Sequence, residues 1–402
     1  MKKIVLCFLI VFLCACQSEA SLIDAKRKMT TDVLTFSQTE FGFMQEVSVN
    51  DIITSDGISV AKIELDTSEL GNKKVLVPYN KDGYNYQEEF SYNVVDKEAP
   101  FVYLSGSYSL RQGYDREVYR VIPCIDNADK NPKCTVEGEY DINVPGKYNL
   151  TYVAEDASGN VTRKDFVLTV TKAYAGSTTP NTGTTSDKNR TLIEDVISKY
   201  KTEDTMIGID VSKYQQKIDW EKVKNAGVEF AMIRIGVQPE FFNTNYKLDP
   251  YFKANIEGAL KQGIKVGGYF YSYAAKKEEA IGQAKFVIDN IKDYNIEMPI
   301  AYDWESFTYL TGKGMNIFDF QNNAQEFIKK LDDNGYKGIL YSSKNYLNTF
   351  FQPVKTDVWL AHYTTNAAKS NYSGDYSMWQ LCSNGKVDGI NGDVDIDVYF
   401  KK

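Results

Sequence analysis

The residues with the clearest chemical potential are acidic and lie in the second half of the chain. Asp210 closes the apolar run Met206-Ile207-Gly208-Ile209, Asp303 and Glu305 close Pro299-Ile300-Ala301-Tyr302, and Asp395 and Asp397 sit in a last run near 394–398. Asp303 and Glu305 are two apart, so on a strand they share one side, with Cα atoms roughly 6.5–7 Å apart. Carboxylates gathered on one rim repel one another and raise the pKa of at least one. A carboxylic acid that keeps its proton near neutral pH, beside a second carboxylate, is what acid-assisted glycosidic cleavage requires. An Asp-x-Glu pair at a strand end also caps helices or faces water, and spacing alone leaves these uses open.

Other chemistries are excluded or narrowed. The 402 residues hold one histidine, His362. Multi-histidine zinc sites are therefore impossible, and a Ser-His-Asp triad would have to be built on that residue. Only an all-oxygen Ca²⁺ or Mg²⁺ site remains, and nothing resembles a calcium loop; neither metal nor cofactor is expected. With 46 basic and 54 acidic residues the net charge is −8, which argues against nucleic acid as a partner.

The elements that must carry these acids follow from a change of period at Met206. Short apolar runs of the buried parallel-strand kind recur at Met206–Asp210, Phe230–Arg234, Val266–Tyr271, Pro299–Asp303 and Gly338–Tyr341. Amphipathic helical stretches separate them at about 219–227, 250–262, 276–294 and 317–334. Three further strands are expected near 357–361, 377–381 and 394–398, with little helix between the last ones. Roughly eight strands with this alternation predict a (β/α)₈-related barrel whose last helices are reduced, with its site at the C-terminal strand ends.

Upstream, residues 22–171 read as β structure, with alternating runs such as Phe90–Val94 and Tyr148–Tyr152 between Gly, Asn and Asp turns. Asp66–Tyr79 parallels Asp141–Tyr152, each leading from Asp through a Gly turn into a strand ending in Tyr. Two tandem modules are predicted. The second resembles bacterial immunoglobulin-like modules in its Ala99-Pro100 opening, Asp126-Asn127 turn and Ala154–Asn160 segment; the first is more divergent. Such modules serve as spacers, and sugar binding is the alternative. A Ser/Thr/Gly/Pro stretch over 172–189 reads as a flexible linker, followed by a short amphipathic helix. The organisation is thus 1–15 signal, 16–97 divergent β-sandwich, 98–171 immunoglobulin-like β-sandwich, 172–204 linker and helix, and 205–402 barrel.

The N-terminus carries Lys2 and Lys3 before the apolar stretch Ile4–Leu13, too short to span a bilayer and right for a signal peptide. Leu13-Cys14-Ala15-Cys16 resembles the bacterial lipobox, which would leave a lipidated Cys16 as an anchor in the cell membrane, on the cell-wall side. An ordinary secretory signal with a chance cysteine is the other reading. Cys124 and Cys134 bracket a polar segment and suit a disulfide in an oxidising compartment better than a zinc pair, which lacks further ligands; Cys382 is left over.

Ordered motifs from residue 206 onward resemble glycoside hydrolase family 25, the lysozymes. They are Gly208–Gln215 with Ile218-Asp219-Trp220, Phe230–Arg234, Gly268–Ala274, Tyr302-Asp303-Trp304-Glu305, Val358–Tyr363, Met378-Trp379-Gln380 and Gly389–Asp395. The resemblance implies a (β/α)₅β₃ barrel that hydrolyses the β-1,4 bond from N-acetylmuramic acid to N-acetylglucosamine in peptidoglycan. It makes Glu305 the catalytic acid and Asp303 its partner, orienting the substrate's 2-acetamido group as that group attacks the anomeric carbon. Asp210 and Asp395 match the first- and last-strand acids of the cleft. Tyr271, Trp304 and Tyr363 are candidates for sugar contact, with core packing the alternative for each. Arg234 would pair with a rim carboxylate or fix the second strand. Asp397, where the family commonly has asparagine, is a further substrate-contact candidate, and His362 is a rim or core histidine. The expected protein is a monomeric, membrane-tethered muramidase; a glycan-binding or adhesive surface lipoprotein on the same barrel and β-modules is the alternative.

Overall fold

In the computed structural model, residues 27–172, 190–305, 310–351 and 354–401 are described. Cys16 and the linker stretch 173–189 lie outside them. The chain divides into two compact units, Met1–Glu98 and Ala99–Lys402.

The first unit is built on an antiparallel hairpin, Gly71–Lys81 with Tyr84–Val95. Asp82 and Gly83 turn it, both at positive φ (54° and 82°), the two-residue turn whose twist matches the flanking strands. Alternation along the hairpin buries Val77, Tyr79, Phe90, Tyr92 and Val94 on one face. Against that face pack Leu34, Phe41 and the short helix Val49–Ile52. Among the described residues this unit has one mixed five-stranded sheet, covered by irregular chain instead of the second sheet a sandwich would have.

In the second unit, Gly146–Glu155 and Val161–Thr171 form the corresponding hairpin, so Gly71 and Gly146 open equivalent strands. The hairpin lies inside a four-stranded sheet, and a two-stranded sheet, Phe101–Val102 with Cys124–Ile125, completes the module. A Cys124–Cys134 disulfide ties the two sheets together.

This module is not a freestanding spacer. Phe101 meets Phe350 edge-on at 5.6 Å and Tyr103 lies 5.7 Å from Tyr346. Ile125 joins the barrel's own hydrophobic cluster. The Asp126 carbonyl accepts from Ile317 N (2.9 Å), and Lys130 pairs with Asp319 at 3.0 Å. Burying a Phe or Ile side chain contributes roughly 1.5–3 kcal/mol, so this apolar contact holds the module to the barrel.

The barrel strands are β1 (Thr205–Val211), β2 (Phe230–Val237), β3 (Lys265–Tyr271), β4 (Ile300–Asp303), β5 (Gly338–Ser343), β6 (Val358–Ala361), β7 (Met378–Lys386) and β8 (Val394–Phe400). Helices α1 (Trp220–Asn225), α2 (Phe252–Lys261), α3 (Lys277–Ile291), α4 (Ile317–Asp332) and α5 (Lys344–Leu347) fall between the first six strands. β1 to β7 are parallel, and β8 closes the barrel antiparallel to both β7 and β1. Thr191–Leu192 adds a short edge strand to β7, and the helix Ile193–Tyr200 leads from it into β1.

Strict alternation sorts the side chains. Ile207, Ile209, Ile233, Val266, Ile300, Tyr302, Leu360 and Ile396 point outward into the layer shared with the helices. Met206, Phe230, Met232, Ala301, Ile339, Trp359 and Met378 fill the interior. Close strand approach is sequence-encoded at Gly268, where a Cβ would stand 2.7 Å from the Ile233 carbonyl. This packed interior is the floor on which the rim residues rest.

Candidate active site

The inward positions at the top of the strands carry the chemistry. A cleft of about 560 Å³ opens there, lined among others by Asp210, Arg234, Asp303, Glu305, Gln380 and Asp395. Because β8 runs against its neighbours, its first residues reach this rim: Asp395 is in register with Asp210, and Asp397 with Gly208 one layer deeper. Asp303 stands beside Tyr271 of β3 and Tyr341 of β5. Glu305 lies just past the end of β4 and is open to the cleft, whereas Asp303 and Asp210 are only 3% and 5% exposed.

Gln380 links the rim. Its Nε2 donates to Asp210 Oδ2 at 2.6 Å, and its Oε1 accepts from the Tyr341 hydroxyl at 2.8 Å and the Tyr363 hydroxyl at 2.7 Å. Arg234 is engaged by Asp249, with Nε 2.7 Å from Oδ2, and lies over the Tyr214 ring. Asp303 Oδ1 is buried and has no hydrogen-bond partner among the described residues.

Burial pushes all five acids above their ordinary range, and repulsion from neighbouring carboxylates adds to it at Asp210, Asp303, Asp395 and Asp397. Burial is the main cause for Glu305, and the Tyr341 hydroxyl opposes it. For Asp303 burial acts first and the Glu305 charge second, with Arg234 opposing both. Burial followed by the Asp395 and Asp397 charges raises Asp210. Asp395 is pushed up to about 7 by burial and then by Glu305. Asp397 is raised by burial and by Asp395. The rim therefore holds protons near neutral pH, the state a general acid needs.

Two residues expected to touch sugar, Trp304 and Asp397, sit where such a contact cannot form. Trp304 is fully buried on the outward side, against Phe241, Tyr273 and Phe320, because it alternates with Asp303 and Glu305. It offers no surface to a sugar. Asp397 is likewise fully buried, its Oδ1 accepting from Trp359 Nε1 at 2.8 Å below the cleft. Arg234 lines the cleft but pairs with Asp249 rather than with Asp210, Asp303, Glu305 or Asp395 of the rim. Tyr271 and Tyr363 do line the cleft. His362 bonds Ser370 through Nδ1 at 2.8 Å. Cys382 is a buried free thiol, raised to about 11 by burial. Gln380 falls within the Met378-Trp379-Gln380 motif without a site role of its own, and Tyr341 and Asp249 do not stand out in the sequence as site residues. Tyr341 does close an apolar run as Asp303 does.

Residues 209–390 match glycosyl hydrolases family 25. The barrel is thus a glycoside hydrolase domain of lysozyme type. The chain is 28% identical over 203 residues to the uncharacterized protein YegX of Escherichia coli K12, covering 48% of this chain and 70% of that one. It is 26% identical over 196 residues to the autolytic lysozyme of Clostridium acetobutylicum, covering 48% of this chain and 56% of the relative. Among solved structures, the modular autolysin LytC of Streptococcus pneumoniae in complex with a synthetic peptidoglycan ligand is 24% identical with a TM-score of 0.44. That match covers 62% of this chain and 56% of that one.

Proposed function

We propose that this protein is a muramidase that cleaves the β-1,4 bond between N-acetylmuramic acid and N-acetylglucosamine in peptidoglycan. The observation that carries the reading is the unequal pair on β4. Glu305 faces the open cleft with its pKa raised, and Asp303 beside it is buried with one oxygen lacking a donor. In this reading Asp303 accepts the N–H of the substrate's 2-acetamido group and turns its carbonyl oxygen toward the anomeric carbon. As the C–O bond to the leaving sugar breaks, Glu305 gives its proton to the leaving oxygen. Glu305, now ionised, then takes a proton from the water that completes hydrolysis. Asp210 and Asp395 act through position and field, and Tyr271 and Tyr363 offer ring surface along the cleft. Purified peptidoglycan should yield new reducing ends of N-acetylmuramic acid; reducing ends of N-acetylglucosamine, or none, would sink the proposal.

The site of action belongs to the same reading. A lipidated Cys16 would hold a monomeric enzyme on the outer side of the cell membrane, since two acyl chains give stable anchoring. The immunoglobulin-like assignment of residues 98–171 is part of it too, supported by the two sheets and their disulfide. Cys16→Ser should release the protein into the medium; a mutant that still fractionates with membranes contradicts the anchor.

A further inference from the structure

β7 outruns the strand beside it. On one edge β6 pairs with it only over Met378–Gln380, and the short strand Thr191–Leu192 pairs with Gly385–Lys386. β8 takes the other edge from Met378 to Gly385. Among the described residues no strand pairs with Leu381–Asn384 on the first edge, a gap of roughly 13 Å. Such a gap leaves backbone N–H and C=O groups outside the ladder.

A pocket of about 860 Å³ lies at this gap, larger than the catalytic cleft. It is lined by Leu381–Asn384, by Thr364 and Thr365 of the loop after β6, and by side chains of the segment 190–199. That segment is firmly tied. Arg190 pairs with Asp393 at 2.8 Å and donates to the Gly385 carbonyl at 3.0 Å. Lys199 Nζ donates to the Ala367 carbonyl at 2.8 Å, and the Tyr200 hydroxyl donates to the same oxygen. The segment precedes residues 209–390, so this wall is an addition to the family's barrel. Tyr363 lines both the pocket and the catalytic cleft. Its ring is 52% exposed while its hydroxyl is held by Gln380 Oε1 at 2.7 Å, so a fixed aromatic face stands at the junction.

The lining selects the chemistry of an occupant. Thr365 and Ser383 are exposed and present hydroxyls. Both lining cations are already matched, Arg190 by Asp393, and Lys199 by the Ala367 carbonyl with Asp195 one helical turn away. A wall peptide, which ends in a carboxylate, would need a cation not so engaged. A neutral polyhydroxylated ligand needs none, and an acetamido group offers one donor and one acceptor to an open strand edge.

We propose that this pocket is a further subsite for the glycan strand: an N-acetylated sugar beyond those in the catalytic cleft passes Tyr363 and docks against Leu381–Asn384. The proposal rests on the lysozyme reading above and deepens it, because it makes the enzyme select long strands over short ones.

The test is calorimetric binding of peptide-free peptidoglycan strands to the full chain carrying Glu305→Gln, which keeps the strands intact. An octasaccharide should bind about tenfold more tightly than a tetrasaccharide, the gain expected from one or two net hydrogen bonds. Adding Ser383→Trp fills the pocket from β7 and should erase that gain while leaving tetrasaccharide affinity unchanged. Thr365→Trp fills it from the loop after β6 and should do the same, which keeps the test open should Ser383→Trp fail to fold. Equal affinity for the two lengths, or a gain that survives both substitutions, would overturn the proposal. A gain seen only with peptide-bearing strands would assign the pocket to the peptide and overturn it as well. A length-dependent gain erased by these substitutions, in a protein whose Glu305 form releases no reducing ends, would uphold the subsite and refute only the lysozyme reading.

Discussion

Asp303/Glu305 and Asp395/Asp397 have the same spacing and the same inward face, yet the barrel uses them in opposite order. On β4, parallel to its neighbours, the later residue stands at the rim and the earlier one is buried beside it. On β8, which runs the other way, the earlier residue stands at the rim and the later one drops beneath it to meet Trp359. Alternation fixes the face a carboxylate shares; strand direction fixes its depth. Depth separates a proton donor from a buried packing group.

Substitutions at the β4 rim should have the largest effects. Glu305→Gln preserves shape but has no proton to give, so turnover should fall about 10²–10⁴-fold, with glycan binding nearly intact when measured by pull-down on purified wall. Asp303→Asn keeps the acid and should also be severely slowed, since the acetamido group and the developing positive charge lose their partner. Its alkaline limb should shift downward, because a neighbouring negative charge that raises Glu305's cost of ionising is gone; an upward shift in a pH–rate profile would contradict that coupling.

On β8 the effects are smaller and appear partly in stability. Asp395→Asn should slow turnover less than Glu305→Gln. The folded pKa of Asp395, about 7, lies above the roughly 3.9 of an unfolded aspartate. Its contribution to stability is full below about 4 and is lost as pH rises through about 7. The melting temperature should therefore decline from pH 5 to pH 8, and Asp395→Asn should flatten that decline by a few degrees. A slope unchanged in calorimetry would place the responsible proton elsewhere.

Much of this arrangement is legible in the sequence. The apolar runs locate the barrel strands, and Asp210, Asp303, Glu305 and Asp395 all line one cleft. Trp304 is the misplaced residue, although the same alternation that aligns its neighbours turns it outward. The depth of Asp397 is not legible, because nothing in a seven-residue apolar run states which way it will run. Gln380, noted only as part of a motif, and Tyr341 get no site role for a related reason: an amide has no charge to attract attention, and its contacts with Asp210, Tyr341 and Tyr363 appear only once β1, β5 and β7 are brought round one axis. The docking of residues 99–171 is hidden because Phe101 and Tyr103 read equally well as strand residues of a separate module.

Glu305, not a carboxylate of β8, is the group on which the proposed chemistry turns, as supplier of the proton. Turnover of Glu305→Gln and Asp397→Asn on purified peptidoglycan, measured side by side as new reducing ends, addresses it most directly. Glu305→Gln should be nearly inactive while Asp397→Asn retains most of its rate. A deader Asp397→Asn enzyme would contradict the assignment of Glu305 as proton donor.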